Sequence, residues 1–270
     1  WAESESSDDF AIHVFKLHDS TKTGTLVHSY ALSGTRLKDH IFYFYYIITH
    51  FNVVAMVGDY NGGVQFIRAA NESSLFKENK IDIKLIDADL DDLEDYQSGV
   101  LDAKNQYNPS ERRYCILRKP SSQWIRRANE LLQANIDHRR LTFASRAIND
   151  DYQKQRSKKI PIEKLKFLRN SELMEKQSMG AKMIDFVENQ KDMIELTKNE
   201  CALIQVSTTP QGTQTFDLPI NLKRQTGPDK TRKDSYSALV LGNWMIKTYY
   251  DMVDAKENPV ESTFVPRFIA

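Results

Sequence analysis

Two cysteines in 270 residues, Cys115 and Cys201, are too few and too far apart for a disulfide framework or a cysteine-rich zinc site. Neither belongs to a Cys-x-x-Cys pair, and the scarcity fits a reducing, intracellular setting. Excess charge is lacking too. With 37 basic and 37 acidic residues the formal net charge is +0, so any surface for nucleic acid or membrane must be local. No apolar run is long enough to span a bilayer. The aromatic-rich stretch 41–51 is short, is flanked by His40 and His50, and reads as a buried helix. No signal peptide and no initiator methionine open the chain. The start Trp1-Ala2-Glu3 reads as the beginning of a fragment of a longer polypeptide. There is no Gly-x-x-x-x-Gly-Lys-Ser/Thr loop, so ATP hydrolysis on a phosphate loop is not expected of these residues.

What is present is ordinary globular composition, 40% hydrophobic and 27% charged, in a chain long enough for one large domain or two modest ones. Alternation predicts a hairpin from 9–17 and 25–32, and an apolar helix follows at 37–50. Val53 to Val57 is an almost wholly apolar, β-branched run, the pattern of a strand buried on both faces and central in its sheet. A break at 58–63 precedes a helix at 64–71 and a strand at 81–86. Further on come a short strand at 114–117 and an amphipathic helix at 122–140 capped by Ser121 or Ser122. Another short strand is read at 141–144, then a long helix at 171–198. A strand at 201–206 pairs with 214–218 across Pro210-Gln211-Gly212. A basic loop at 220–233 leads to a closing helix at 234–253. Together these predict an α/β fold with a mixed sheet.

Two acids stand in informative places. Asp59 ends the apolar run, and ligands of open α/β sheets collect where strands end. Gly62 and Gly63 allow close backbone approach there. The same Asp59 also suits a helix N-cap. Asp234 opens a helix, where the dipole alone favours a carboxylate. It also follows Arg232 and Lys233, and an acid among bases suits a site for a phosphodiester. Hard divalent cations need oxygen ligands, so such a site is built from carboxylates.

Three stretches resemble one family, the nuclease domain of the large subunit of tailed-bacteriophage terminases. WAESESSDDFAIHVFKL is similar to the segment after the family's first catalytic aspartate. VVAMVGDYNGGVQFI resembles the strand carrying its second acid, here Asp59. TRKDSYSALVLGNW resembles its third-acid motif, here Asp234. The resemblance implies a ribonuclease H-like mixed central sheet flanked by helices, with a helical and basic insertion in the middle and a β-hairpin before the last helix. It implies one nuclease domain over 1–270, with a core of about 1–110 and 200–255, an insertion of about 111–199 and an irregular tail at 256–270. An ATPase domain would precede it in the parent chain. It also implies cleavage of double-stranded DNA with two Mg²⁺ or Mn²⁺ ions held by Asp59 and Asp234. The first acid would lie just upstream of Trp1, with Glu3 and Asp9 as accessory acids. Lys223, Arg224, Arg232 and Lys233 would meet DNA phosphates. The implied partners are the viral portal and the small terminase subunit, in the host cell cytoplasm.

Other readings stay open. A resolvase or transposase shares the fold, and a non-catalytic DNA- or portal-binding module needs no metal. The acidic run 87–95 is a solvated loop or a cation site. The bases of 154–166, with Arg139 and Arg140, are a solvated face or a DNA track. Trp124, Leu131, Leu132 and the Tyr249-Tyr250 pair read as packing residues, and His138 as a surface or packing residue.

Overall fold

The computed structural model describes residues 10–32, 37–87, 113–144, 190–210, 212–225 and 231–257. Glu3, Asp9, most of the acidic run and the 154–166 bases lie outside the described residues.

β1 (Phe10–His18) and β2 (Thr23–Leu32) form an antiparallel hairpin with a register shift between Val14 and Phe15. Lys22 turns it with φ of 51°. After α1 (Leu37–His50) come β3 (Val57–Asp59), α2 (Tyr60–Glu72), α3 (Ser74–Glu78) and β4 (Ile83–Asp87). β5 (Arg113–Arg118), α4 (Ser122–Asp137) and β6 (Leu141–Phe143) follow. Ser121 caps α4, its hydroxyl accepting from the Trp124 N–H at 3.2 Å. The last described stretch holds α5 (Gln190–Leu203), β7 (Gln205–Thr208), β8 (Gln214–Asp217), the single turn α6 (Ile220–Lys223) and α7 (Asp234–Glu257).

Among the described residues the strands form two three-stranded sheets and a separate hairpin. One sheet has the order β1-β2-β6, with β6 parallel to β2. The other has the order β3-β5-β4, all parallel. The two sheets share one layer, because each face of that layer is covered by a single apolar cluster touching both. On one side Leu26 of β2 joins Ile86 of β4 and Ile116 of β5 under α4, α5 and α7. On the other, Phe10 and Ile12 of β1 join Ile83 and Cys115 under α1, α2 and α3. The result is a helix–sheet–helix sandwich whose sheet is split between β1 and β3. This establishes the α/β class and the flanking helices.

Three details differ from the sequence reading. Among the described residues the run 53–57 pairs only from Val57 onward, and β3 ends its sheet where a central position was expected. Helix α5 continues through Cys201 to Leu203, where a strand was expected. Met193 and Leu196 are buried against Ala31, and Ile194 and Cys201 meet the cluster under α7, so packing on two sides holds the helical turn. The basic loop contains the short turn α6.

Candidate metal site and the cavity beside it

Asp59 is the last residue of β3 and stands at the N-cap position of α2, with φ of −66° and ψ of 136°. Its side chain makes no capping hydrogen bond. Desolvation by the surrounding walls pushes its pKa above the ordinary aspartate value, although the Asn61 and Tyr60 backbone N–H groups act the other way. Gly63 sits so close to Gly58 that a Cβ on it would lie 3.6 Å from the Gly58 Cα and 3.3 Å from Leu117. That approach lets α2 begin directly at the strand end.

The direction of the Asp59 side chain follows from the ladder. Asp59 is the register partner of Arg118 on β5. Paired residues of neighbouring strands point to one face of a sheet. The Arg118 guanidinium lies 5.5 Å from the Trp124 ring of α4 and 5.3 Å from the Trp244 ring of α7. Asp59 therefore belongs to the face that α7 covers, and Asp234 is the first residue of α7. Both residues line one cavity.

The start of α7 is held from outside the helix. Glu200 of α5 is 2% exposed, and its Oε2 accepts the Tyr236 N–H at 3.2 Å. The Tyr236 hydroxyl donates to Asn129 on α4. Two neighbouring helices thus fix the first turn that carries Asp234.

The predicted DNA-contacting bases do not behave alike. Lys223 and Lys233 both grip Asp217 at the end of β8, at 2.5 Å and 3.0 Å. Partial burial works to raise the Asp217 pKa. The hydrogen bonds from both lysines and from the Leu218 N–H at 2.8 Å outweigh it, so the carboxyl stays below its usual range. Arg224 is exposed. Arg232 is 3% exposed, so meeting a phosphate would require uncovering it. Sequence reasoning missed Glu200, Asp217 and Arg118. Nothing local marks them, since each acquires its role from a partner on another element.

The cavity measures about 1040 Å³ and runs between the facing edges of β1 and β3, under α7. It is lined by Phe10 through Leu17 without a gap and by Val53 through Asp59 without a gap. A cavity lying on a strand's face meets every second residue, whereas consecutive residues mean that it lies along the strand's edge. At ~24 cal/mol per Å³, a dry void of this size would cost on the order of 25 kcal/mol. That exceeds the ~5–15 kcal/mol by which a domain is stable. The cavity is not sealed from solvent, but water entering it wets Val53, Val54, Met56 and Phe15.

Comparison with protein-family models, with curated proteins and with solved structures returned no match to this chain. The donor chemistry is therefore read from the residues themselves. Aspartates such as the two that line this cavity supply the oxygen ligands that a hard divalent cation takes. Among the described residues no cluster of three or more His, Cys, Asp or Glu comes together.

Proposed function

We propose that this chain is a metal-dependent DNA endonuclease, the nuclease domain of a terminase large subunit that cuts viral DNA during packaging. The observation that carries the reading is that Asp59 and Asp234 line the same cavity. They are far apart in sequence and sit on different kinds of element, yet they line one cavity at a strand's carboxyl end and a helix N-terminus.

In this reading Asp59 and Asp234 hold Mg²⁺ or Mn²⁺, completed by an acid from upstream of Trp1. Bound cations would polarise the phosphodiester and lower the pKa of the attacking water. The residues of the chain supply position. Glu200 and Asn129 fix the turn bearing Asp234, and the Gly58–Gly63 approach fixes Asp59. Lys223, Arg224 and Lys233 flank the site and meet the DNA backbone, which gives affinity without base preference. The partners in this reading are double-stranded DNA, the viral portal and the small terminase subunit, and the setting is the host cytoplasm.

Plasmid nicking with Mn²⁺ tests this, on the 270-residue chain and on a polypeptide begun further upstream. Asp59→Ala and Asp234→Ala should each lower cleavage by more than about 100-fold. Cation-dependent cleavage that survives both changes would remove the proposed site. Cation-independent DNA binding without cleavage in the longer polypeptide would favour the non-catalytic module.

A further inference from the structure

We infer that Trp124 and Trp244 are positioning residues, which hold the Arg118 guanidinium away from Asp59 and so keep that carboxylate open to a divalent cation. The strand ladder creates the situation that the indoles resolve. Asp59 and Arg118 are register partners at the ends of the parallel strands β3 and β5, on the face that α7 covers. Neighbouring strands lie ~4.8 Å apart, a gap that an arginine stem readily covers. A guanidinium is charged at every working pH, and its fork of N–H donors matches a carboxylate. Asp59 is exposed and accessible to such a partner. The placement therefore predicts an Arg118–Asp59 ion pair. Among the described residues no such pair forms. The groups that favour the ionised Asp59 are the backbone N–H groups of Asn61 and Tyr60, with no guanidinium among them.

The Arg118 charge is turned to the two indoles. Its guanidinium carbon lies 5.5 Å from the centre of the Trp124 ring and 5.3 Å from that of Trp244. Indole is the aromatic side chain that attracts a cation most strongly. The rings stand 5.9 Å apart at 76° to each other, two walls of one corner. They come from different helices, and both helices are fixed nearby. The Trp124 N–H donates to Ser121 Oγ at the cap of α4. Asn243, next to Trp244 and 1% exposed, accepts from Asn135 of α4 at 2.8 Å. The corner is thus set by contacts that do not involve Arg118.

The consequence falls on Asp59. A guanidinium and a divalent cation compete for the same carboxylate oxygens. Arg118 is tethered one strand away, so once released from the corner it competes at high effective concentration. Were it to hold Asp59 about four-fifths of the time, the apparent cation affinity would fall by about fivefold. The inference deepens the endonuclease reading. It rests on that reading for the cation, and not for the placing of Arg118.

Two measurements test it, and the first needs neither cation nor DNA. Urea midpoints are determined with chelator for Asp59→Asn, Arg118→Gln and the two together, in the native background and in Trp124→Leu. The Trp124 indole N–H is buried without a hydrogen-bond partner, so that change strands nothing. Trp244→Leu supplies a second background should the first fail to fold. In the native background the two midpoint shifts should add. Without the indole the pair should lose less than the sum, the mark of a new ion pair. The proposal is overturned if Asp59 and Arg118 are already coupled in the native background, or if the shifts add where an indole is missing. The second measurement is calorimetric Mn²⁺ binding. Trp124→Leu should weaken it by about fivefold, and adding Arg118→Gln should restore it to within about twofold of the native value. A weakening that Arg118→Gln leaves in place assigns the indoles to packing alone and overturns the proposal. Absence of Mn²⁺ binding to the native protein overturns the cation half together with the endonuclease reading, while the midpoint cycle still decides whether the indoles hold Arg118 off Asp59.

Discussion

The raised pKa of Asp59 gives the proposed site a direction of pH dependence. A cation needs the ionised carboxylate, and this one keeps its proton to a higher pH than an ordinary aspartate. Calorimetric Mg²⁺ or Mn²⁺ affinity should therefore fall as pH is lowered, beginning at a higher pH than for an exposed aspartate pair. Three histidines make a second, independent prediction. Burial lowers His13 to about 3, with His28 nearby adding to the effect, and lowers His28 and His40 to about 4. In the unfolded chain these rings titrate near ~6.5. Between those values the unfolded state binds more protons, so stability is full above about pH 6.5 and is lost as pH falls toward 4. Urea unfolding at pH 7 and pH 5 should show the loss. His13→Leu should make it shallower, because both ring nitrogens of His13 are buried without a hydrogen-bond partner and the change strands nothing. His28 and His40 are worse choices, since they bond to Tyr43 and Tyr30 and their removal would strand a hydroxyl.

Among the elements, α7 fits tightly on the hairpin. A Cβ on Gly242 would fall 2.1 Å from the Phe15 ring, and one on Gly24 would fall 2.5 Å from Ile246. Gly242→Ala gains roughly 1 kcal/mol of helix propensity but incurs an overpacking cost of about 1–3 kcal/mol. A net loss on the order of 1 kcal/mol should appear in chemical denaturation. The β8–α6–α7 corner offers another test. Asp217 neutralises two lysines, and exposed ion pairs are worth only ~0.2–1 kcal/mol. Asp217→Asn should leave the melting temperature nearly unchanged. It should tighten duplex DNA binding severalfold at low salt, an effect that fades as salt rises. The elements also show where sequence legibility ends. The hairpin, α1, α4 and α7 were readable because periodicity and caps are local. The end of α5 was not, because its last turns are held by Ala31 and the cluster under α7, which no local pattern announces. Asp59 and Asp234 were visible as acids at element ends. The residues that orient their surroundings, Glu200 and Arg118, were invisible because their partners are Tyr236 and the two tryptophans on other elements.

For the molecule as a whole, β1 and β3 end their sheets among the described residues and line one cavity. The β-branched run was read as central from composition, and its neighbour on one side, β5, is indeed present. What the sequence could not reveal is that the other side opens onto a cavity, because strand neighbours are set by the global path and not by the strand itself. One further consequence concerns light rather than energy. The chain has three tryptophans, and two of them, Trp124 and Trp244, stand edge to face at 5.9 Å against the guanidinium of Arg118. Arg118 is the register partner of Asp59, so two of this chain's three indoles stand at a junction one strand away from the proposed cation site. The molecule thus carries an unlabelled optical reporter there, one that a Trp1→Phe variant would isolate for titrations with cation or DNA.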